Sequence, residues 1–125
     1  MKNLFTLFLF LTILSPIQAE PVTPSRMENA FNNWAHCSRL FRDFDIETTK
    51  QKKLGVFIYK KDKDQLEKTL ESLLSYAREQ FGKEDASRMM TLGIVTVGFR
   101  EWKDNLTNKD VRRMVDECRE LIYQY

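Results

Sequence analysis

Apolar residues in much of this chain recur at alternating spacings of three and four, which is the pattern of an amphipathic helix. The first such stretch follows Ser25-Arg26-Met27-Glu28, which has the form of a capping box at the start of a helix. The pattern therefore predicts a helix from residue 25 to about Phe44. Its apolar face carries Met27, Phe31, Trp34, Cys37, Phe41 and Phe44.

Two later stretches show the same periodicity. Asp64-Gln65-Leu66-Glu67 fits a helix start, and Gly82 is the residue type that commonly ends a helix, so we predict a helix between them. Thr107-Asn108-Lys109-Asp110 begins the last predicted helix. The apolar stripe of that last helix consists of Val111, Met114, Val115, Cys118, Leu121 and Ile122.

The segment between the first helix and Asp64 has two interpretations. Thr48-Thr49-Lys50-Gln51 offers a capping box, which favours a short helix over residues 49–61. The run from Leu54 to Tyr59 is also continuously apolar and rich in β-formers, and periodicity alone does not separate a buried strand from a helix there. A short strand near residues 54–60 is the alternative.

A further helix is predicted to start near Asp85, and its apolar residues nearly encircle the axis as far as Trp102. A helix that is apolar on all sides is expected to be central and buried. Gly93 and Gly98 disfavour a helix, so a strand over residues 91–99 is the alternative. The predicted fold is an all-α bundle of four to five helices closed by one disulfide, with an α+β fold as the alternative.

The N-terminus has the three-part pattern of a secretory signal peptide. Lys2 precedes an apolar run from Leu4 to Leu14, and a plausible cleavage site ends at Ala19. We therefore expect residues 1–19 to be cleaved, residues 20–24 to form an extended leader, and residues 25–125 to form a single helical domain. The short leader with its single lysine indicates an exported bacterial protein, either periplasmic or secreted.

The chain contains only two cysteines, Cys37 and Cys118, and both lie in the part expected to be exported. An oxidising compartment allows a disulfide to form and persist. Each cysteine lies on an apolar helical stripe. We predict a structural disulfide that joins the first helix to the last.

The residues available for catalysis are few. His36 is the only histidine, and it diverges from its neighbour Cys37 by about 100 degrees on a helix, so the two cannot form a nucleophile and base. Adjacent carboxylates at 84–85 and 116–117 also point in different directions. No metal-ligand spacing or haem motif is present in the sequence. We expect no cofactor, no metal and no enzymatic activity, with a small hydrolase or transferase as the weakest alternative.

The most distinctive charge feature is the segment 50–63. It holds Lys50, Lys52, Lys53, Lys60, Lys61 and Lys63 against one acid, Asp62, and includes Phe57 and Tyr59. Such a segment can bind an anionic membrane surface. It contains no arginine, and the whole chain has 20 basic and 18 acidic residues, so nucleic acid is not favoured and a solvated lysine-rich surface is the simpler interpretation.

A signal peptide followed by a helical domain with one disulfide is similar to the plan of small periplasmic acid-stress chaperones and secretion-system immunity proteins. The resemblance covers architecture alone, and no motif transfers a functional residue. The leading hypothesis is a non-enzymatic exported protein that binds a protein partner, as an inhibitor, immunity or chaperone-like protein does. The alternative is a secreted effector or toxin that contacts a membrane or host target through residues 50–63.

Overall fold

The computed structural model describes residues 22–47 and 54–124. Within these residues the chain forms four helices and no strand, which confirms the predicted all-α class. In chain order they are α1 (Pro24–Phe44), α2 (Lys60–Phe81), α3 (Lys83–Gly98) and α4 (Asn108–Ile122). No helix in the described residues is both long and apolar enough to cross a membrane. The predicted signal peptide, residues 1–19, lies outside the described residues.

Helix α1 begins before the predicted capping box. Thr23 is the N-cap, and its hydroxyl accepts a hydrogen bond from the Arg26 amide at 3.2 Å. Pro24 takes the first helical position, where its fixed φ suits a helix and its missing N–H leaves no donor unpaired. Ser25 is therefore inside the helix, and residues 23 and 24 belong to the helix start rather than to an extended leader.

The predicted short helix at 49–61 is wrong over residues 55–59, which are not helical; residues 48–53 lie outside the described part. The Val56 amide donates to the Phe44 carbonyl at 2.9 Å, and the Ile46 amide donates to the Val56 carbonyl at 2.8 Å. These bonds form one isolated parallel bridge rather than a strand. Gly55 permits the approach, because a Cβ atom there would lie 2.8 Å from the Ile46 Cα.

Helix α2 begins at Lys60, upstream of the predicted cap at Asp64, which lies inside the helix. It ends as predicted at Gly82, whose φ of 89° is in the region that favours glycine. Helix α3 follows at once and continues to Gly98, so the alternative of a strand over 91–99 is wrong. Helix α4 begins where predicted, and the structure shows a capping box between Thr107 and Asp110.

Two apolar clusters share the long helices α1 and α2. One joins the C-terminal half of α1 to the start of α2 and to α4, and includes Leu40, Leu66 and Val115. The other joins the N-terminal half of α1 to the end of α2 and to α3, and includes Phe31 and Ala77. Helices α3 and α4 therefore lie against the same helix pair and scarcely contact each other.

Polar contacts fix these helices relative to one another. The Trp34 indole in α1 donates to the Leu66 carbonyl in α2 at 2.7 Å. The Thr69 hydroxyl in α2 lies 2.8 Å from the Ile122 carbonyl at the end of α4, where helix carbonyls lack intrahelical partners. Cys37 and Cys118 form the predicted disulfide with a Cα–Cα distance of 5.6 Å. The bond connects α1 to α4 inside the first cluster.

We expect the two glycines of α3 to respond differently to alanine. A Cβ at Gly98 would meet no atom within 4 Å, so Gly98→Ala is expected to raise the free energy of unfolding by about 0.5 kcal/mol. A Cβ at Gly93 would lie 3.1 Å from the Phe31 carbonyl carbon, so Gly93→Ala gains the same propensity but crowds α1. Urea unfolding of both variants is the measurement, and an equal stabilisation would contradict the close packing at Gly93.

Candidate functional site

The outer side of α3 is apolar and exposed to solvent. Leu92, Ile94 and Val95 are 49%, 45% and 47% exposed, and Phe99, the C-cap residue, is 84% exposed. We call these four residues the α3 apolar face. The prediction that α3 would be a central, buried helix is therefore wrong for this side.

The packing of the inner side of α3 explains why its outer side is exposed to solvent. Ala86, Met89, Gly93 and Val97 are buried and follow one another at spacings of three and four. They pack on α1 and α2, which together cover only one side of the helix. Leu92, Val95 and Phe99 share a different stripe with the same spacing. Ile94 lies about 100° from Val95 around the helix axis, outside this stripe, and it too is exposed.

Phe99 is held in its exposed position by ordered backbone. The Arg39 guanidinium donates from α1 to the Val97 carbonyl at 2.8 Å and to the Arg100 carbonyl. The Arg100 amide in turn donates to the Val97 carbonyl at 3.1 Å. These bonds satisfy the Val97 carbonyl, one of the helix-end carbonyls that lack an intrahelical partner, and hold the chain just after α3. The exposure of Phe99 therefore belongs to a fixed helix end.

The α3 apolar face lies in a stretch of sequence without charged residues. No charged residue occurs between Arg88 and Arg100. Arg88 pairs with Asp85 at 2.7 Å, one turn earlier on the same helix. Complete burial of an aliphatic or phenylalanine side chain contributes about 1.5 to 3 kcal/mol, so covering these partly exposed residues would yield about 5 kcal/mol. That gain is similar to the lower estimates for the entropic cost of association, so a tight complex needs contacts at the rim as well.

The lysines of segment 50–63 are divided by the structure. Lys50, Lys52 and Lys53 lie outside the described residues. Lys63 approaches the buried carboxylate of Asp45 at 2.6 Å and so joins α2 to the end of α1. Lys60 pairs with Asp64 at 2.9 Å, where both groups are exposed. The interpretation of Lys60, Lys61 and Lys63 as an anionic-surface site therefore rests chiefly on Lys61.

Exposed aromatic rings surround Lys61. Phe57 and Tyr59 are 51% and 49% exposed, and their rings meet edge to face with centroids 5.0 Å apart. The Lys61 ammonium and the Arg119 guanidinium lie 5.8 Å and 5.2 Å from the Tyr59 ring centre. We call Phe57, Tyr59 and Lys61 the aromatic-lysine face. It combines apolar rings with a cation, as surfaces that contact membranes or proteins often do.

Next to this face, a partly exposed arginine pairs with a buried carboxylate. The Asp62 carboxylate is 1% exposed and accepts hydrogen bonds from the Arg119 Nε and the Tyr123 hydroxyl, both at 2.8 Å. The hydrogen bond to Asp62 raises the pKa of Tyr123. Burial tends to lower the pKa of Arg119, but the hydrogen bond from its Nε to Asp62 helps to raise that pKa overall. Both acceptor oxygens are used to join α2 to α4.

The residues considered for catalysis do not assemble into a reactive group. Cys37 is bonded to Cys118, and the described chain has no free cysteine. Asp85 and Asp116 pair with arginines on their own helices. His36 packs against Trp102 with ring centres 5.6 Å apart. No group of three or more His, Cys, Asp or Glu side chains is placed to hold a metal ion in residues 22–47 and 54–124.

Comparisons with known proteins give no relative from which a function could be carried over. No family model matches the chain, and no curated protein or solved structure matches it either. The candidate site therefore rests on its geometry alone. The sequence signal for it is the uncharged run from Met89 to Phe99, whose pattern predicts a buried helix.

Proposed function

We propose that this protein is an exported, non-enzymatic binding protein whose α3 apolar face docks on a protein partner. The observation that carries the proposal is the exposure of Leu92, Ile94, Val95 and Phe99 on one ordered helix. Exposed apolar side chains that share one helical stripe, as Leu92, Val95 and Phe99 do, are typical of a site that another macromolecule covers. A helix face with such spacing fits an apolar groove or a second helix.

The composition of the face supports a protein partner rather than a lipid surface. Amphipathic helices that bind membranes carry lysine and arginine beside their apolar residues. No lysine or arginine interrupts the run from Met89 to Phe99, and Arg88 at its start is paired with Asp85. The core of a protein interface is likewise depleted of charge and enriched in aromatic and apolar side chains.

Export is supported by two features of the chain. The N-terminal pattern, with Lys2 before the run from Leu4 to Leu14, is that of a signal peptide. The Cys37–Cys118 bond is a covalent constraint of the kind that persists in oxidising compartments. N-terminal sequencing of the protein recovered outside the cytoplasm tests this part, and we expect a mature chain that begins at Glu20.

The test of the docking proposal compares two double variants of the full chain. Leu92→Gln with Phe99→Gln removes the two ends of the α3 apolar face, and Ile46→Gln with Tyr76→Gln changes exposed side chains that belong to neither candidate surface. Each protein is used to capture partners from envelope extract of producing cells, followed by affinity measurement with the purified partner. We expect one stoichiometric partner whose Kd is at least about tenfold weaker for the α3 variant and unchanged for the control.

Three results would contradict this proposal. The first is a partner that binds the α3 variant as tightly as the wild type. The second is equal weakening in both double variants, which would indicate a general loss of structure. The third is a homodimer in analytical ultracentrifugation that only the α3 variant dissociates, because the face would then be covered by a second copy of this chain.

A second candidate function follows from the aromatic-lysine face. Phe57, Tyr59 and Lys61 are suited to contact an anionic membrane, as an effector or toxin acting on a membrane target would. We would expect binding to vesicles that contain phosphatidylserine, lost at high salt and reduced by Lys61→Gln with Phe57→Ser. Binding to neutral vesicles of phosphatidylcholine alone, or none to either, would remove this candidate.

A further inference from the structure

A cleft of about 420 Å³ opens beside the end of α3, separately from the α3 apolar face. Its walls come from α1, from the last turn of α3, from the connection between α3 and α4, and from the first turns of α4. A volume of this size is within the range of small-molecule sites, about 300 to 1,000 Å³. The apolar part of its lining consists of Val97, Trp102, Leu106 and Met114.

The apolar wall of the cleft is fixed in advance by its supporting contacts. The Trp102 indole donates to Asp43 Oδ2 at 3.0 Å, and the Phe44 ring meets it edge to face at 5.0 Å. The Arg39 guanidinium lies 4.7 Å from the Trp102 ring centre and 3.2 Å from the same Asp43 carboxylate. A preformed wall spares a ligand the cost of ordering the site.

Some of the charged side chains that line the cleft already have polar partners, and others do not. Arg39 forms an ion pair with Asp43 and donates a hydrogen bond to the Val97 carbonyl at the end of α3. The Asp110 carboxylate accepts from the Thr107 amide and hydroxyl at 3.0 Å and lies 3.7 Å from Arg113. Arg100 and Lys103 remain, and neither has an ion-pair partner within 4.0 Å among the described residues.

Two acids face these cations, because the charge of Lys103 also acts on Asp110, whose pKa is lowered chiefly by its hydrogen bonds from Thr107. Glu101 also lines the cleft and is exposed, so the net positive charge at the opening is small. A ligand with several negative charges would need more free cations than the cleft supplies. A single carboxylate between Arg100 and Lys103, with an apolar body against the wall, matches both the charge and the chemistry of the lining.

The pKa of His36 depends on the electrostatic potential inside the cleft. Its ring lines the cleft and packs against Trp102. The pKa of His36 is lowered chiefly by burial, then by the charges of Arg100 and Arg39, while Glu117 on α4 opposes the shift. An anion bound beside Arg100 would offset these effects and raise the pKa of His36. Binding should then strengthen as the pH falls through that pKa, because a carboxylic acid with a pKa near 4 stays ionised there.

We propose that the cleft between α1, Trp102 and the start of α4 binds a small monocarboxylic acid with an apolar body. The carboxylate lies between Arg100 and Lys103, and the body contacts Trp102, Leu106 and Met114. This binding is independent of the α3 apolar face and of the partner proposed for it.

The experiment uses the single histidine as a probe. The ring proton signal of His36 is followed by NMR in the purified protein. Three separate titrations are made, with phenylacetate, with neutral phenylacetamide of similar shape, and with inorganic phosphate. We expect saturable binding of phenylacetate with a Kd below about 1 mM, a raised pKa of His36, and binding of phenylacetamide that is at least about tenfold weaker.

Charge-matched variants locate the site. Arg100→Gln with Lys103→Gln is expected to weaken phenylacetate binding by about tenfold or more. Lys109→Gln with Arg112→Gln removes the same charge from exposed positions of α4 that do not line the cleft, and is expected to bind as the wild type does. Equal effects of both variants would overturn the site.

Two ligand results would also overturn the proposal. Absence of a saturable shift up to about 10 mM phenylacetate would exclude this ligand class. Phosphate binding as tight as that of phenylacetate would indicate a bare anion site without a role for the apolar wall.

Discussion

Replacing Cys37 and Cys118 together by alanine is expected to lower the free energy of unfolding by about 3 kcal/mol. The bond closes a loop between residues 81 positions apart. For a loop of that length the chain-entropy model gives about 4.5 kcal/mol, which residual structure in the unfolded chain reduces. Because the side chains are 1% and 4% exposed, the substitution also removes buried sulfur atoms from the core. Urea unfolding followed by far-UV circular dichroism measures the change.

The single variant Cys37→Ala provides the control for this prediction. It breaks the same bond, so its stability should approach that of the double variant, and Cys118 should then react with a thiol reagent upon unfolding. Reduction of the wild-type protein should have a similar effect. A double variant within about 1 kcal/mol of the wild type would mean that packing of α4 alone holds the ends of the chain together.

The disulfide was predictable because two independent sequence signals agreed on it. The helical spacing put Cys37 and Cys118 on buried stripes, and the N-terminal pattern indicated an oxidising compartment. The helix ends at Gly82 and Thr107 were predictable for the same kind of reason. A glycine with a positive φ and a capping box act through their immediate neighbours.

The starts of α1 and α2 were predicted incorrectly because several residues there can act as caps. Thr23 and Ser25 are both good N-cap residues, and Pro24 decides between them because it suits the first helical position. Near α2, Asp64 has the local form of a cap, but Asp62 is held in the first turn by Arg119 and Tyr123 from the other end of the chain. Sequence windows do not contain such long-range contacts.

The candidate site was misinterpreted for a more general reason. An uncharged run such as Met89 to Phe99 predicts that a helix is covered on all sides, but it does not say by what. In the structure α1 and α2 cover one side, and the other remains exposed. The sequence pattern and the exposed face are consistent if a second chain supplies the missing cover, which is the basis of the proposed function.

The cleft had no sequence signature at all. His36, Trp102 and Met114 come from separate elements, and only the packing of α1 against α4 and the α3–α4 connection brings them together.

The clustering of lysines in the sequence, by contrast, suggested a binding surface that the structure only partly provides. Lys63 belongs to a lysine-rich segment, yet it lies against the buried Asp45 and has a structural contact instead of a free charge.

Replacing Asp62 by alanine is expected to lower the free energy of unfolding by about 3 kcal/mol. The change leaves the part-buried Arg119 Nε and the Tyr123 hydroxyl without their 2.8 Å acceptors, and the Asp116 carboxylate that Arg119 retains is itself exposed. Asp64→Ala is the matched control two positions away, because its pair with Lys60 is exposed at both ends and should contribute little to stability.

A second measurement separates the ion pair from general disruption of the α2 start. The hydrogen bond to Asp62 is the largest cause of the raised pKa of Tyr123, so Asp62→Ala should lower that pKa while Asp64→Ala leaves it unchanged. NMR titration of ring-labelled tyrosine measures both. If Asp62→Ala destabilised the protein no more than Asp64→Ala, the α2–α4 contact would depend instead on the Thr69 hydroxyl and on apolar packing.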